Sequence, residues 1–202
     1  MIRQLDHVVL VALDLDKAVA DHRARGFTVT PGGEHVGGFT HNALVGFSDG
    51  SYLEILAFHD VAKARGNHSW APIADRGGGW ADFVLSSDDL AADVAALGSL
   101  VARPPEDGGR ARPDGVRIGW RVARLVAPLP MLIQDTTPRE LRVPHGDQAV
   151  HHNGVKGITR VVVGAVDADA VAKRYEGLRS RGAPAIEVRK AERDGLIDVA
   201  FG

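Results

Sequence analysis

The sequence contains no cysteine, which excludes disulfide staples, thiolate metal sites and a cysteine nucleophile, and fits a reducing compartment. Aromatic residues are scarce at 5%, too few for a base-stacking platform. Neither sign of charge dominates. The 24 Lys and Arg stand against 26 Asp and Glu, a net charge of -2, so nothing electrostatic points to a nucleic-acid or anionic-membrane partner. Long apolar runs are also missing. The N-terminal stretch MIRQLDHVVLVALDLD is broken by Asp6, His7 and Asp14, and reads as neither a signal peptide nor a membrane span. The chain is therefore expected to be cytoplasmic. G-x-S-x-G, H-E-x-x-H and phosphate-loop signatures are absent, which argues against serine hydrolase, zincin and P-loop chemistry. What is abundant is glycine, 24 residues, and histidine, 9 residues, in a chain of 202 that is 45% hydrophobic and so able to bury a core.

Internal repetition organises the chain. LDHVVLVALDLDKAVADHRARG, from Leu5 to Gly26, reads as an apolar strand, a helix start at Asp14 and a helix closed by Gly26. A shift of 75 superposes WADFVLSSDDLAADVAALG, placing His7 on Asp82 and Val9 on Val84. A shift of 153 superposes ITRVVVGAVDADAVAKRYEGLRSRG, pairing Asp14 with Asp167 and Asp16 with Asp169. After the first helix come FTVT, THNALVGF and SYLEILAF, the last two joined by a Ser48-Asp49-Gly50 turn. After the second come SLVA, a Pro104-Pro105 and Gly108-Gly109 break, two strands divided at Pro113-Asp114-Gly115, and PMLIQD. The expected fold class is α+β, with repeated β-α-β-β-β modules over 1-60 and 78-136, a shortened third over 155-202, and curved mixed sheets forming a cup. The 202 residues are read as one domain, with 137-154 as a covering segment and the stretch from His59 to Gly79 as an exposed connection.

Function is expected inside the cup, and strand alternation chooses what faces it. His7, Val9 and Val11 share one face of the first strand, and Tyr52, Glu54 and Leu56 share one face of the fourth. A His and a Glu in apolar strands are costly to bury unpartnered, so they serve each other, an ordinary polar contact, or a metal. Their donor types suit Fe, Mn, Co, Ni or Zn. Arg110 and Arg112, two apart, share a face and can hold a carboxylate or phosphate, or form a solvated strand edge. Trp120 reads as core or cavity wall.

LDHVVL and the later YLEI, set in paired β-α-β-β-β modules, resemble the vicinal oxygen chelate superfamily, which includes glyoxalase I, extradiol dioxygenases and bleomycin-resistance proteins. PGGEHVGGFTHNALVGF, SYLEIL and RARPDGVRIGW are similar to its glyoxalase-like branch. The resemblance implies a divalent metal held by the first and fourth strands of two modules. Carried over, the ligands are His7 and Glu54, with Asp82 by the shift of 75 and Gln134 by matching LIQ to YLE. Asp82 and Gln134 depart from the usual His and Glu. The resemblance further implies that His35 and Asn42 face ligand, and that His152 of the His151-His152 pair does. No organic cofactor is implied. Alternation puts His41 on the face opposite Thr40 and Asn42, a surface position, while His59, His68 and His145 read as loop residues outside any constellation.

The expected function is that of a glyoxalase-like protein enclosing a small oxygenated organic ligand. As a metal-dependent isomerase, lyase or dioxygenase it would act on chelated vicinal oxygens, with Glu54 as the catalytic proton carrier. The rival is a metal-free binding protein of the bleomycin-resistance type, and a third reading is a subunit-association module. A homodimer is expected to cover the free edge of the shortened module.

Overall fold

Asp14, Asp89 and Asp167, at corresponding positions of the three repeats, each cap a helix. Their carboxylates accept from the backbone N–H three residues on: Lys17, Ala92 and Ala170, at 2.9, 3.0 and 3.0 Å. In the computed structural model, which describes residues 1–202, these helices are α1 (Leu15–Ala24), α4 (Leu90–Leu97) and α6 (Ala168–Arg179). Each follows an apolar strand: β1 (Ile2–Ala12), β5 (Gly79–Ser87) and β9 (Ile158–Ala165). The first repeat continues with β2 (Thr30–His35), β3 (Thr40–Gly46) and β4 (Tyr52–Phe58). The second continues with β6 (Val101–Ala111), β7 (Arg117–Leu125) and β8 (Met131–Asp135), and the third with β10 (Glu187–Lys190) and β11 (Gly195–Phe201). This is the expected α+β fold of repeated modules.

The eight strands of the first two repeats close into one barrel in the order β1-β4-β3-β2-β6-β7-β8-β5. The seams are the antiparallel pairs β1–β5 and β2–β6. Along β1–β5, His7 opposes Val84 and Val9 opposes Asp82. Each pairing is the image of the other under a shift of 75, so the two modules are related by a local two-fold. The third repeat forms a separate sheet, β10-β9-β11, packed against the outside of the barrel.

Alternation then sorts the side chains. Val8, Phe83 and Leu85 point outward into the larger core, which the third repeat completes with Val161, Val163, Tyr175 and Leu178. Val9, Val11, Leu56, Val84, Met131 and Ile133 point into the barrel. Two connections differ from expectation. The Pro104-Pro105 break lies inside a continuous β6, whose register shifts between Arg103 and Glu106 absorb the missing donors. The stretch after His59 folds into α2 (Val61–Ala64) and α3 (Ala71–Asp75), because burying Ala64, Trp70, Ala71 and Ala74 against the barrel interior outweighs exposing them. The segment 137-154 carries α5 (Arg139–Arg142) and a short 3-10 turn.

Candidate functional site

The barrel holds a cavity of about 240 Å³. One wall is polar and comes from the first repeat. Register sets His7 beside Tyr52 and Glu54 beside Leu44, with Asn42 two residues before Leu44 on β3. The His7 and Tyr52 rings stack at 4.4 Å with an interplanar angle of 18°. Glu54 stands between two imidazoles: its Oε2 is 3.6 Å from His7 Nε2 and its Oε1 is 3.3 Å from His35 Nε2. Asn42 Nδ2 donates to Glu54 Oε1 at 2.6 Å, leaving Asn42 Oδ1 buried without a partner. That amide fits only because residue 32 is glycine, since a Cβ there would lie 1.9 Å from Oδ1.

A layer of charge behind this wall fixes His7. A register shift in β1 between Leu5 and His7 brings Asp6 alongside, and its Oδ1 lies 2.6 Å from His7 Nδ1. Burial pushes the Asp6 carboxyl up, but Arg142 and His7 outweigh it and hold it well below the usual carboxylate range. An ionised Asp6 can only accept, so His7 Nδ1 carries a proton and donates it. Arg142 binds Asp6 through Nη1 and Nη2 at 2.8 and 3.0 Å, Asp135 through Nε and Nη2 at 2.5 and 2.9 Å, and donates to the Tyr52 hydroxyl at 2.7 Å. Arg139 also reaches Asp6.

Burial pushes the Glu54 carboxyl up, yet hydrogen bonding and charge from His35, charge from His7 and the Asn42 amide hold it down at about 2. It is ionised at neutral pH. His7 Nδ1 is committed to Asp6, so Nε2 is the ring nitrogen that faces the Glu54 carboxylate.

The opposite wall, from the second repeat, is largely apolar: Val84, Trp120, Val122, Met131 and Ile133. Here the expected ligand set is corrected. In β5–β8 Val84 opposes Met131, as Val9 opposes Glu54 in β1–β4, so Met131 and not Gln134 is the counterpart of Glu54. Gln134 lies outside the cavity and tethers the start of α4, accepting from Leu90 N at 3.0 Å and donating to the Asp88 carbonyl at 2.9 Å. Asp82 does not line the cavity either. It accepts from Phe83 N at 2.9 Å and lies 3.7 Å from Arg124, and burial raises its carboxyl to about 6.

Of the other expected residues, His35, Asn42, Tyr52, Arg110 and Trp120 line the cavity. Arg110 is buried and donates to the Gly32 and Arg142 carbonyls, with no carboxylate salt-bridged to it. Arg112 faces an outer groove, pairing with Asp114 at 2.8 Å. The histidine pair is reversed. His152 is exposed, whereas His151 is buried, accepting from Thr28 N at Nδ1 and donating from Nε2 to the Gly46 carbonyl, a structural tie.

Sequence reasoning missed Asp6, Arg142, Arg124, His68 and Trp70. Asp6, adjacent to His7 in an apolar strand, was the one with a readable signal. His68 and Trp70 line the cavity from the connection after β4, and burial lowers the His68 pKa to about 4.

The donor types on the first-repeat side suit a divalent ion. His7 Nε2, His35 Nε2 and the Glu54 carboxylate are two imidazoles and one carboxylate, and the other ring nitrogen of each histidine is engaged, by Asp6 and by Thr40 Oγ1 at 2.9 Å. At the matching positions the second repeat offers Met131 for Glu54 and, for His7, Asp82, whose carboxylate does not line the cavity.

The sequence profile of the Glyoxalase-like domain matches residues 5–179. The chain belongs to this family. The glyoxalase-like assignment bears out the resemblance to the vicinal oxygen chelate superfamily. A hypothetical protein from Staphylococcus aureus shares the fold, with 13% identity over 98% of this chain and 90% of its own and a TM-score of 0.78. A Streptomyces coelicolor methylmalonyl-CoA epimerase in complex with 2-nitronate-propionyl-CoA is 24% identical over 68% of this chain and 100% of its own, with a TM-score of 0.48. The corresponding values for a methylmalonyl-CoA epimerase from Mycobacterium tuberculosis are 18%, 68%, 90% and 0.44. No curated protein matches the sequence. No helix of this glyoxalase-like chain is long and apolar enough to cross a membrane.

Proposed function

We propose that this glyoxalase-like protein is a divalent-metal-dependent isomerase or lyase acting on a small organic molecule with neighbouring oxygens. The observation that carries this reading is Glu54 set between His7 Nε2 and His35 Nε2, with Asp6 fixing the His7 tautomer. His7, His35 and Glu54 would hold the ion, which when bound supplies a Lewis acid that polarises a substrate oxygen.

The remaining roles belong to the chain. Glu54 is ionised and, when not engaged in holding the ion, would be the group to accept and return a proton at the substrate carbon. Asp6, itself fixed by Arg142, keeps the His7 ring in one orientation. Arg110 brings a buried positive charge to the cavity, complementary to an anionic oxygen on the ligand. Val84, Met131 and Ile133 exclude water from the facing side, which strengthens every charge interaction inside.

The test is metal analysis of protein purified without chelator, then thermal shift with Mn, Fe, Co, Ni and Zn and with EDTA. Stabilisation by at least one ion that is lost in Glu54→Gln and His7→Ala supports the reading. No cavity-dependent metal and no shift would overturn it, and would leave ligand sequestration as the function of the cavity.

A further inference from the structure

The barrel wall that carries His35 and Asn42 has a second group of donors on its outer face. Glu34 and His41 are cross-strand partners on β2 and β3, each one residue from a cavity-lining neighbour and therefore pointing away from it. His59, just past β4, places Nε2 2.6 Å from Glu34 Oε2. Its ring stacks on that of His41, with centroids 4.3 Å apart and 28° between planes. One ligand atom from each of the three residues lies within 4.8 Å of the other two. The Glu34 and His59 side chains are 58% and 42% exposed, so an ion reaches them from solvent without entering the barrel.

From this geometry we infer that Glu34, His41 and His59 form a surface site for a divalent ion of the zinc, cobalt, nickel or copper type, separate from the cavity. Two imidazoles and a carboxylate match the borderline preferences of these ions and give three protein ligands with room for water. Ligands about 2.0–2.2 Å from a tetrahedral ion stand roughly 3.3–3.6 Å apart, so Glu34 and His59 need to separate by only about 1 Å as their shared proton leaves. The occupied site would tie the β2–β3 hairpin, which carries His35 and Asn42, to the start of the segment whose His68 and Trp70 close the cavity.

The experiment compares wild type with Glu34→Gln and His59→Ala, both at exposed positions, after confirming by circular dichroism that each is folded. Protein stripped with chelator is loaded with zinc, passed over a desalting column and analysed for metal. Each variant is expected to retain about one equivalent less zinc per chain than wild type, and to show a smaller zinc-induced rise in Tm. This difference counts the outer site whether or not the cavity also takes zinc, so it stands apart from the proposed function. Equal zinc in wild type and both variants, including none in any of them, would overturn the inference.

Discussion

The two halves of the barrel share one backbone plan and divide the labour. In β1 and β4, Val9 opposes Glu54; in β5 and β8, Val84 opposes Met131. Around Glu54 the first half gathers His7, His35 and Asn42, whereas around Met131 the second half gathers Val84, Val122 and Ile133. A two-fold arrangement of strands therefore does not require two-fold chemistry. One half supplies the imidazoles and the carboxylate, and the other supplies a mostly apolar wall, with Arg110 and Arg124 among its charged members, that makes those groups strong.

The charged layer behind the polar half offers the largest way to break this contrast. Arg142 is buried between Asp6 and Asp135, so Arg142→Met removes the buried partner of both, leaving Asp6 to Arg139 and His7 and Asp135 to Arg139, and is expected to cost about 3–5 kcal/mol in urea unfolding. An effect below about 1 kcal/mol would mean that the layer does not hold the wall.

Asp82 gives the next effect, with a pH signature. Its folded pKa, raised to about 6, lies above the ordinary value of 3.8. The contribution from protonating the folded state is therefore fully present below about pH 3.8 and lost as pH rises through about 6. Asp82→Asn should gain relative stability above pH 6, on the order of 1–2 kcal/mol after allowing for its partial exposure and its weak pairing with Arg124. Glu54 carries the opposite sign. Its folded pKa of about 2 lies below the ordinary 4.5, so its contribution is present above about pH 4.5 and lost as pH falls towards 2. Acid unfolding of wild type should be steeper across that window than that of Glu54→Gln.

The smallest expected effect is at Gln134. Removing its side chain frees the Leu90 N–H at the start of α4, and Gln134→Ala should lower stability by about 1 kcal/mol while leaving metal and ligand binding unchanged. A fall in metal affinity in that variant would restore it to the site.

Much of this was legible in the residues. Three Asp-started helices after apolar strands revealed the repeat, period-two alternation grouped His7 with Val9 and Glu54 with Tyr52 and set His41 opposite Asn42, and the resemblance put Asn42 at the ligand. Matching LIQ to YLE failed because the connections between strands differ in length, so residue type misled where register decides. His152 was chosen over His151 on the resemblance, and the chain there has no period to say which side faces in. Arg142 lay in the aperiodic segment 137-154, where nothing local shows that a residue meets Asp6, 136 positions earlier.

The account's central claim is that the polar half alone forms the ion-binding chemistry of the cavity. Calorimetric titration with Mn²⁺, in chains that also carry His59→Ala to remove the outer cluster, tests it most directly. Glu54→Gln should weaken binding by about a hundredfold or more, while Gln134→Ala binds as tightly as its parent. Equal binding by the Glu54→Gln chain and its parent, or loss on removing Gln134, would contradict it.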